Sequence, residues 1–284
     1  MRTITSRDLL RVVGIASIII AAVIMSGCVG EESGKDVKTL TVTGSTTVLP
    51  IGQSAAEAYM EKDAFADILV SGGGSSVGVQ AVGEGTADIG MASRDLKVTE
   101  TEKYPDLITH VVARDGIAII LYKDNPIKSL TIAQVKAVYR GEITDWKELG
   151  GDDLEIVVIG RDSASGTREF FHSEVMNSED FVRTQLEKNS NGAVKKTVEQ
   201  TPGAVGYVGL GYIDSTVRAV MITDGETAVV PSVENVINGK YPIARPLNMF
   251  TKGEAAGLAK DYLDFIMSSE GQKLVEEEGF VPVA

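Results

Sequence analysis

Twice along this chain a strand-like run ends in a corner of glycine, serine and threonine and continues as an amphipathic segment. The first run, Thr39-Leu40-Thr41-Val42-Thr43, leads into Gly44-Ser45-Thr46-Thr47-Val48. The second, Ile156-Val157-Val158-Ile159-Gly160-Arg161, leads into Ser163-Ala164-Ser165-Gly166-Thr167. A strand that turns straight into a helix commits the chain to βα units, and so to an α/β fold with helices packed on a largely parallel sheet. The same corners present unsatisfied N–H groups and hydroxyls at helix N-termini, where the helix dipole favours negative charge. They read as two parts of a site for a small oxyanion.

Alternation predicts strands near 39–43, 68–71, 87–91, 107–113, 116–122, 155–160, 204–208, 217–222 and 243–250. Apolar residues at helical spacing predict helices around Ile132, Val135, Val138 and Tyr139, around Val233, Val236 and Ile237, and around Leu258, Tyr262, Phe265 and Ile266. Gly271, Gly279 and Pro282 are expected to close the C-terminal helices. With 43% apolar residues and no internal repeat, the chain affords a sizeable core in one or two α/β domains. In open sheets of this kind ligands sit at the carboxyl ends of strands, where both corners fall.

Arg2, Arg7 and Arg11 precede an apolar run over 12–25, followed by Met25-Ser26-Gly27-Cys28. This is the pattern of a signal peptide over 1–27 ending in a lipobox, with Cys28 the site of lipid attachment and 28–38 a polar tether. The apolar run is shorter than the roughly 20 residues of a membrane-spanning helix. Export to the extracytoplasmic face, with a lipid anchor in the membrane, is the expectation. Cys28 is the sole cysteine, so no intramolecular disulfide forms. The net charge of −13, with no cluster of lysine and arginine, argues against nucleic acid as a partner. Such a charge repels an anion at long range, but screening over about 8 Å leaves affinity to local donors.

Seven motifs then agree in order and spacing from about residue 40 onward. They are Gly44-Ser45-Thr46-Thr47-Val48, Gly72-Gly73-Gly74-Ser75-Ser76-Val77-Gly78, Asp88-Ile89-Gly90-Met91-Ala92-Ser93-Arg94 and Asp115-Gly116-Ile117-Ala118. Gly141-Glu142-Ile143-Thr144-Asp145-Trp146, Arg161-Asp162-Ser163-Ala164-Ser165-Gly166-Thr167-Arg168 and Gly203-Ala204-Val205-Gly206-Tyr207 complete the set. Together they resemble the phosphate-binding lipoproteins of phosphate ABC importers. The resemblance implies a type II periplasmic-binding-protein fold, two α/β lobes joined by two crossover strands and closing over the ligand. Lobe one would comprise 39–115 and 250–284, lobe two 116–249, with the crossovers at 116–122 and 243–250. It also implies a monomer that binds inorganic phosphate, feeds an ABC permease, and needs no cofactor or metal.

The phosphate ligands implied are Ser45, Thr46, Thr47, Ser75, Ser93 and Arg94 from lobe one, and Arg161, Ser165, Gly166 and Thr167 from lobe two. Some branches of the family carry Asp where this chain has Arg94, which leaves the acceptor carboxylate to be found. Monohydrogen phosphate keeps a proton at neutral pH and sulfate does not, so a buried carboxylate accepts a bond from the one and repels the other. Asp115 is the first candidate for that acceptor and Asp95 the second, while Asp162 stands near the position that orients Arg161. Short caps and turns explain many of these residues equally well. Trp146 is expected to be a packed anchor, His110 and His172 to be structural, and Ser190-Asn191-Gly192-Ala193 to be either a turn or a cleft contact.

Beside a non-transport sensor or adhesion lipoprotein, which would share the fold and differ only in partner, two other readings remain. One is a receptor of the same fold for sulfate, molybdate or tungstate, whose sites need no proton acceptor. The other is a serine hydrolase, since Gly74-Ser75-Ser76-Val77-Gly78 fits a nucleophile elbow with Ser76 as nucleophile. Two isolated histidines and one cysteine do not supply the usual zinc ligand sets, and no Walker A loop is present.

Overall fold

The structure, a computed structural model, describes residues 36–223 and 225–283. The expectations for the signal peptide, Cys28 and 28–35 of the tether lie outside them.

The first part of the chain builds β1 (Lys38–Gly44), α1 (Leu49–Lys62), β2 (Ala66–Gly72), α2 (Ser75–Glu84), β3 (Ile89–Ala92) and α3 (Val98–Lys103). β1 pairs in parallel with both β2 and β3, which brings the carboxyl ends of all three strands to one edge. Gly44 ends β1 at φ +136°, where a Cβ would lie 2.3 Å from the Met91 carbonyl oxygen. Only glycine lets the corner approach β3 so closely.

A 16-residue strand, β4 (Leu107–Tyr122), comes next. Its first half pairs antiparallel with β12 (Ala244–Lys252), and its second half pairs antiparallel with β8 (Ala204–Gly209). Residues 117–121 of β4 are apolar and fully buried, as suits a strand covered on both faces. Between these strands the chain forms β5 (Ser129–Thr131), α4 (Ile132–Arg140), β6 (Val157–Arg161), α5 (Gly166–Glu174), β7 (Leu186–Lys188) and α6 (Asn191–Gln200). After β8 come β9 (Val217–Ala219), β10 (Met221–Thr223), β11 (Ala228–Val229) and α7 (Val233–Ile237), and after β12 the helices α8 (Gly257–Met267) and α9 (Ser269–Glu277).

The main sheet runs β2-β1-β3-β12-β4-β8-β6-β7, with β9 on β4; β11-β10-β5 form a small separate sheet. It is mixed rather than largely parallel, because β4 and β12 run antiparallel through its middle and join two parallel blocks. The strands expected at 107–113 and 116–122 are one strand, since Arg114-Asp115-Gly116 stays in the ladder instead of turning. Nor does Gly271 close a helix. It lies in the first turn of α9, donating its N–H to Ser268 Oγ at 3.2 Å, in a space where a Cβ would meet the Phe265 carbonyl at 2.2 Å. Gly279, at φ +78°, does close α9.

Buried apolar side chains form two large clusters, one around Val42, Ile51, Met91, Met249 and Tyr262, the other around Ile119, Tyr139, Ile159, Phe171 and Tyr207. In the second, Phe171 stacks on Tyr207 at 4.2 Å between centroids, and Tyr139 meets Phe171 edge-on at 4.9 Å. Such contacts add to the area they bury. They also hold the end of β6: Tyr139 Oη donates to the Ile159 carbonyl at 3.2 Å, and the Arg161 N–H donates to Tyr207 Oη at 3.2 Å. Trp146 packs in this cluster, with Nε1 donating to the Gly203 carbonyl at 3.0 Å.

Candidate functional site

The corner after β1 is a turn rather than the first turn of a helix, because α1 begins at Leu49 with Pro50 in its opening turn. Ser45 Oγ accepts the Thr47 N–H at 3.1 Å, which fixes the three hydroxyl residues in a tight arc. Ser45, Thr46 and Thr47 are all buried. Alongside, α2 opens at Ser75 behind Gly74, which sits at φ +102° and supplies no side-chain cap. Ser75 Oγ accepts the Ser93 N–H at 3.1 Å, so the ends of β2 and β3 present adjacent hydroxyls.

From the other side comes α5, capped by Ser165, whose Oγ accepts the Arg168 N–H at 3.2 Å. Gly166 and Thr167 form its buried first turn. The two sides touch directly. Thr47 Oγ1 and Thr167 Oγ1 lie 3.0 Å apart, and the Ser76 N–H donates to the Ala164 carbonyl at 3.1 Å. A Cβ at Gly166 would come within 2.2 Å of Ser75 Oγ, so glycine is what lets these helix starts converge.

Three buried arginines surround this contact, and their partners differ. Arg161, 1% exposed, donates from Nε to the Lys188 carbonyl at 3.2 Å and from Nη2 to Thr46 Oγ1 at 3.3 Å and the Asn189 carbonyl at 3.2 Å. Its Nη1 is buried with no hydrogen-bond partner among the described residues. Burial pulls its pKa down, with weaker opposing pulls from Tyr207 and Asp162. Asp162 does not grip the guanidinium; the backbone carbonyls of Lys188, which ends β7, and of Asn189 just after it orient it instead.

Arg245 on β12 is equally buried but fully engaged. Nε and Nη2 donate to Asp115 Oδ2 at 3.1 and 2.8 Å, Nη1 to the Ser93 carbonyl at 3.1 Å, and Nη2 also approaches Thr47 Oγ1 at 3.4 Å. Asp115 Oδ1 accepts the Leu210 N–H at 2.9 Å. Burial pushes the Asp115 carboxyl up, against the pull of Arg245 and two backbone amides. The expected acceptor is thus a fully buried carboxylate beside the site, with most of its acceptor capacity taken by Arg245 and the backbone. Asp95, the second candidate, is exposed and accepts from Asn248 Nδ2 at 3.2 Å.

Arg94 departs from the expectation of a charge aimed into the site. Its Nη1 and Nη2 each donate to Glu100 at 2.7 Å, Nη2 also reaches Ser76 Oγ at 3.2 Å, and Nε pairs with Glu169. An acidic residue six positions on, at the third position of α3, draws the guanidinium sideways to the rim.

Two residues of the constellation went unassigned from sequence. Arg245 was missed, although a lone cation in the apolar run 243–250 is itself a signal, since a buried charge demands a partner. For Asn191 the sequence leaves turn and cleft contact equally open. At the start of α6 and fully buried, it donates from Nδ2 to Thr46 Oγ1 at 3.1 Å and Thr47 Oγ1 at 3.0 Å, and accepts the Gly209 N–H at 3.3 Å.

The hydrolase reading fails on geometry. Ser76 Oγ is bonded by Arg94, His110 Nε2 lies 2.8 Å from Thr251 Oγ1, and the His172 ring lies against Phe181. Neither imidazole is hydrogen-bonded to that serine, as a nucleophile and its base must be.

Two parallel blocks crossed by two shared strands, with helix starts converging between them, are the type II periplasmic-binding-protein fold. A family model described as the PBP superfamily domain matches residues 29–270. Phosphate-binding protein PstS of Bacillus subtilis is 38% identical over 256 residues, covering 89% of this chain and 83% of the relative. PstS of Pseudomonas aeruginosa is 32% identical, covering 86% and 83%. Among solved structures, a Clostridium perfringens protein with bound phosphate superposes with TM-score 0.82 at 39% identity, covering 87% of this chain and all of that one. An ABC-type phosphate transport receptor from Vibrio cholerae gives TM-score 0.70 at 33% identity, covering 86% and 100%. The chain belongs to the PBP superfamily and, within it, to the family of phosphate-binding PstS proteins.

Proposed function

We propose that this protein is an extracytoplasmic lipoprotein that captures inorganic phosphate between two closing halves, 39–115 with 250–284 and 116–249, and delivers it to an ABC permease. The observation that carries the reading is the unspent Arg161 Nη1. A buried guanidinium N–H without a partner is costly, and a phosphate oxygen within hydrogen-bond reach removes that cost with a charge-assisted bond. Around it stand the hydroxyls of Ser45, Thr46, Thr47, Ser75, Ser93, Ser165 and Thr167, with Gly166 supplying a backbone N–H. The oxygens of Ser45, Ser75 and Ser165 keep the N–H bonds they accept and turn their O–H groups to the anion, while Thr47 and Thr167 give up their mutual bond for bonds to it. In this reading Asn191 joins the ligand set and Arg94 leaves it.

Selectivity rests on Asp115, whose remaining acceptor capacity receives a hydrogen bond from the protonated oxygen of monohydrogen phosphate. The membrane tether is Cys28, and the closed, loaded form is the one the permease distinguishes. The names borne by the Bacillus subtilis and Pseudomonas aeruginosa relatives, and by the Vibrio cholerae receptor, support both ligand and partner.

Calorimetric titration of the protein with phosphate, sulfate and molybdate between pH 5 and 8 tests the proposal. Phosphate is expected to bind in clear preference. Equal binding of sulfate would replace this reading with that of a general oxyanion receptor.

A further inference from the structure

Glu169 lies on α5, just beyond the hydroxyl corner, and its carboxylate reaches over to residues of the facing half. Its Oε2 is 2.7 Å from Arg94 Nε and 2.9 Å from Lys97 Nζ. The Arg94 approach is an ion pair rather than an aligned hydrogen bond. Arg94 does not wander to meet it. With its side chain 5% exposed, it is locked by two hydrogen bonds to Glu100 at 2.7 Å each, within its own half. The Glu100 carboxyl, raised by burial but lowered more by Arg94 and the Lys97 N–H, sits below the usual carboxylate range. The Arg94–Glu100 fork therefore holds Nε at a fixed place, and Lys97 stands beside it.

If the halves part, the Arg94–Glu100 pair travels intact with 39–115, while Glu169 loses both of its cations. We propose that Glu169 is a positioning residue, an ionic catch that holds the closed state and slows release of the bound anion without touching it. The inference rests on the reading of two closing halves. The catch is partly screened, since the Glu169 and Lys97 side chains are 35% and 39% exposed, so salt weakens it. The neighbouring Ser76 N–H to Ala164 carbonyl bond also spans the halves, but it is neutral and indifferent to salt.

Stopped-flow release of phosphate, with Glu169→Gln, Lys97→Met and the double variant at low and high salt, reads the catch. Glu169→Gln is expected to speed release roughly three- to fivefold at low salt with little change in association rate, and the difference should fade at high salt. The two substitutions should be non-additive, because both remove the Lys97–Glu169 pair, while Glu169→Gln alone also removes the pair with Arg94. Small-angle scattering without phosphate supplies an arm independent of the ligand, in which the parent should be more compact than Glu169→Gln at low salt and alike at high salt. A Glu169→Gln protein with the parent's release rate and scattering profile overturns the catch and leaves phosphate capture standing. A parent that fails to bind phosphate sinks the capture reading, while the scattering comparison still judges the catch.

Discussion

Arg161 and Arg245 are each 1% exposed and each lies on a strand of the main sheet, yet their surroundings are opposite. Arg245 is met by the Asp115 carboxylate, its partner across the β4–β12 ladder, and spends its remaining donors on the Ser93 carbonyl and Thr47. Arg161 meets only carbonyls and a hydroxyl, and keeps one nitrogen unspent. Burying a cation is costly in both places. Where the protein supplies the counter-ion the arginine is part of the frame, tying the central strands to the Thr47 and Ser93 corners of the site. Where the protein withholds it, one guanidinium nitrogen stays without a partner, and the proposed capture of phosphate would supply the missing anion.

The contrast is broken most severely at the paired site. Arg245→Met leaves the Asp115 carboxylate buried without its partner and should cost about 3–5 kcal/mol of folding stability, read by denaturant titration. If stability is unchanged, the pair is not structural. Arg161→Met should do the reverse. Phosphate affinity is expected to fall about 100-fold or more, by calorimetry, for the loss of charge-assisted bonds of about 1.5–3 kcal/mol each. Folding stability should hold or rise, because no counter-ion is stranded.

A smaller effect sharpens the geometry between them. Gly166→Ala puts a Cβ where Ser75 Oγ now lies, 2.2 Å away, and overpacking of this kind typically costs about 1–3 kcal/mol. Since the clash exists only when the halves meet, affinity should drop about tenfold, while at high salt, where the catch is screened and the halves can part, the melting temperature of the unliganded protein stays near the parent's. The smallest effect is at the rim. Glu100 has its folded pKa below the ordinary 4.5, so its contribution to stability is present above that value and is lost as pH falls through the folded one. Glu100→Gln should flatten the acid limb of the stability curve. An unchanged limb would mean that Arg94 does not hold the carboxylate.

The paired and unpaired arginines were not equally legible in the sequence. The place of Arg161 is local, since it ends a strand run two positions before a corner of small hydroxyl residues, and the family resemblance supplies its role. The strands 39–43 and 204–208 and the helix around Ile132 to Tyr139 were legible for the same reason, a local period meeting a local corner. Arg245 depends on Asp115, 130 residues earlier, and on an antiparallel register that no local pattern encodes. The same missing register hid the mixed sheet and made Asp115-Gly116 look like a turn. The direction of the Arg94 side chain was illegible for another reason. Its neighbour Ser93 points at the site, but side-chain direction follows the partner, and Glu100 on α3 draws the guanidinium away.

A crystal structure of the protein grown with phosphate tests the central claim most directly. The account predicts a phosphate oxygen within hydrogen-bond distance of Arg161 Nη1, the other oxygens held by the hydroxyls around Thr46, Thr47, Ser75 and Thr167, and the Arg245–Asp115 pair intact. Phosphate bound elsewhere, or seated on Arg245 with Asp115 displaced while Arg161 Nη1 stays without a partner, would contradict it.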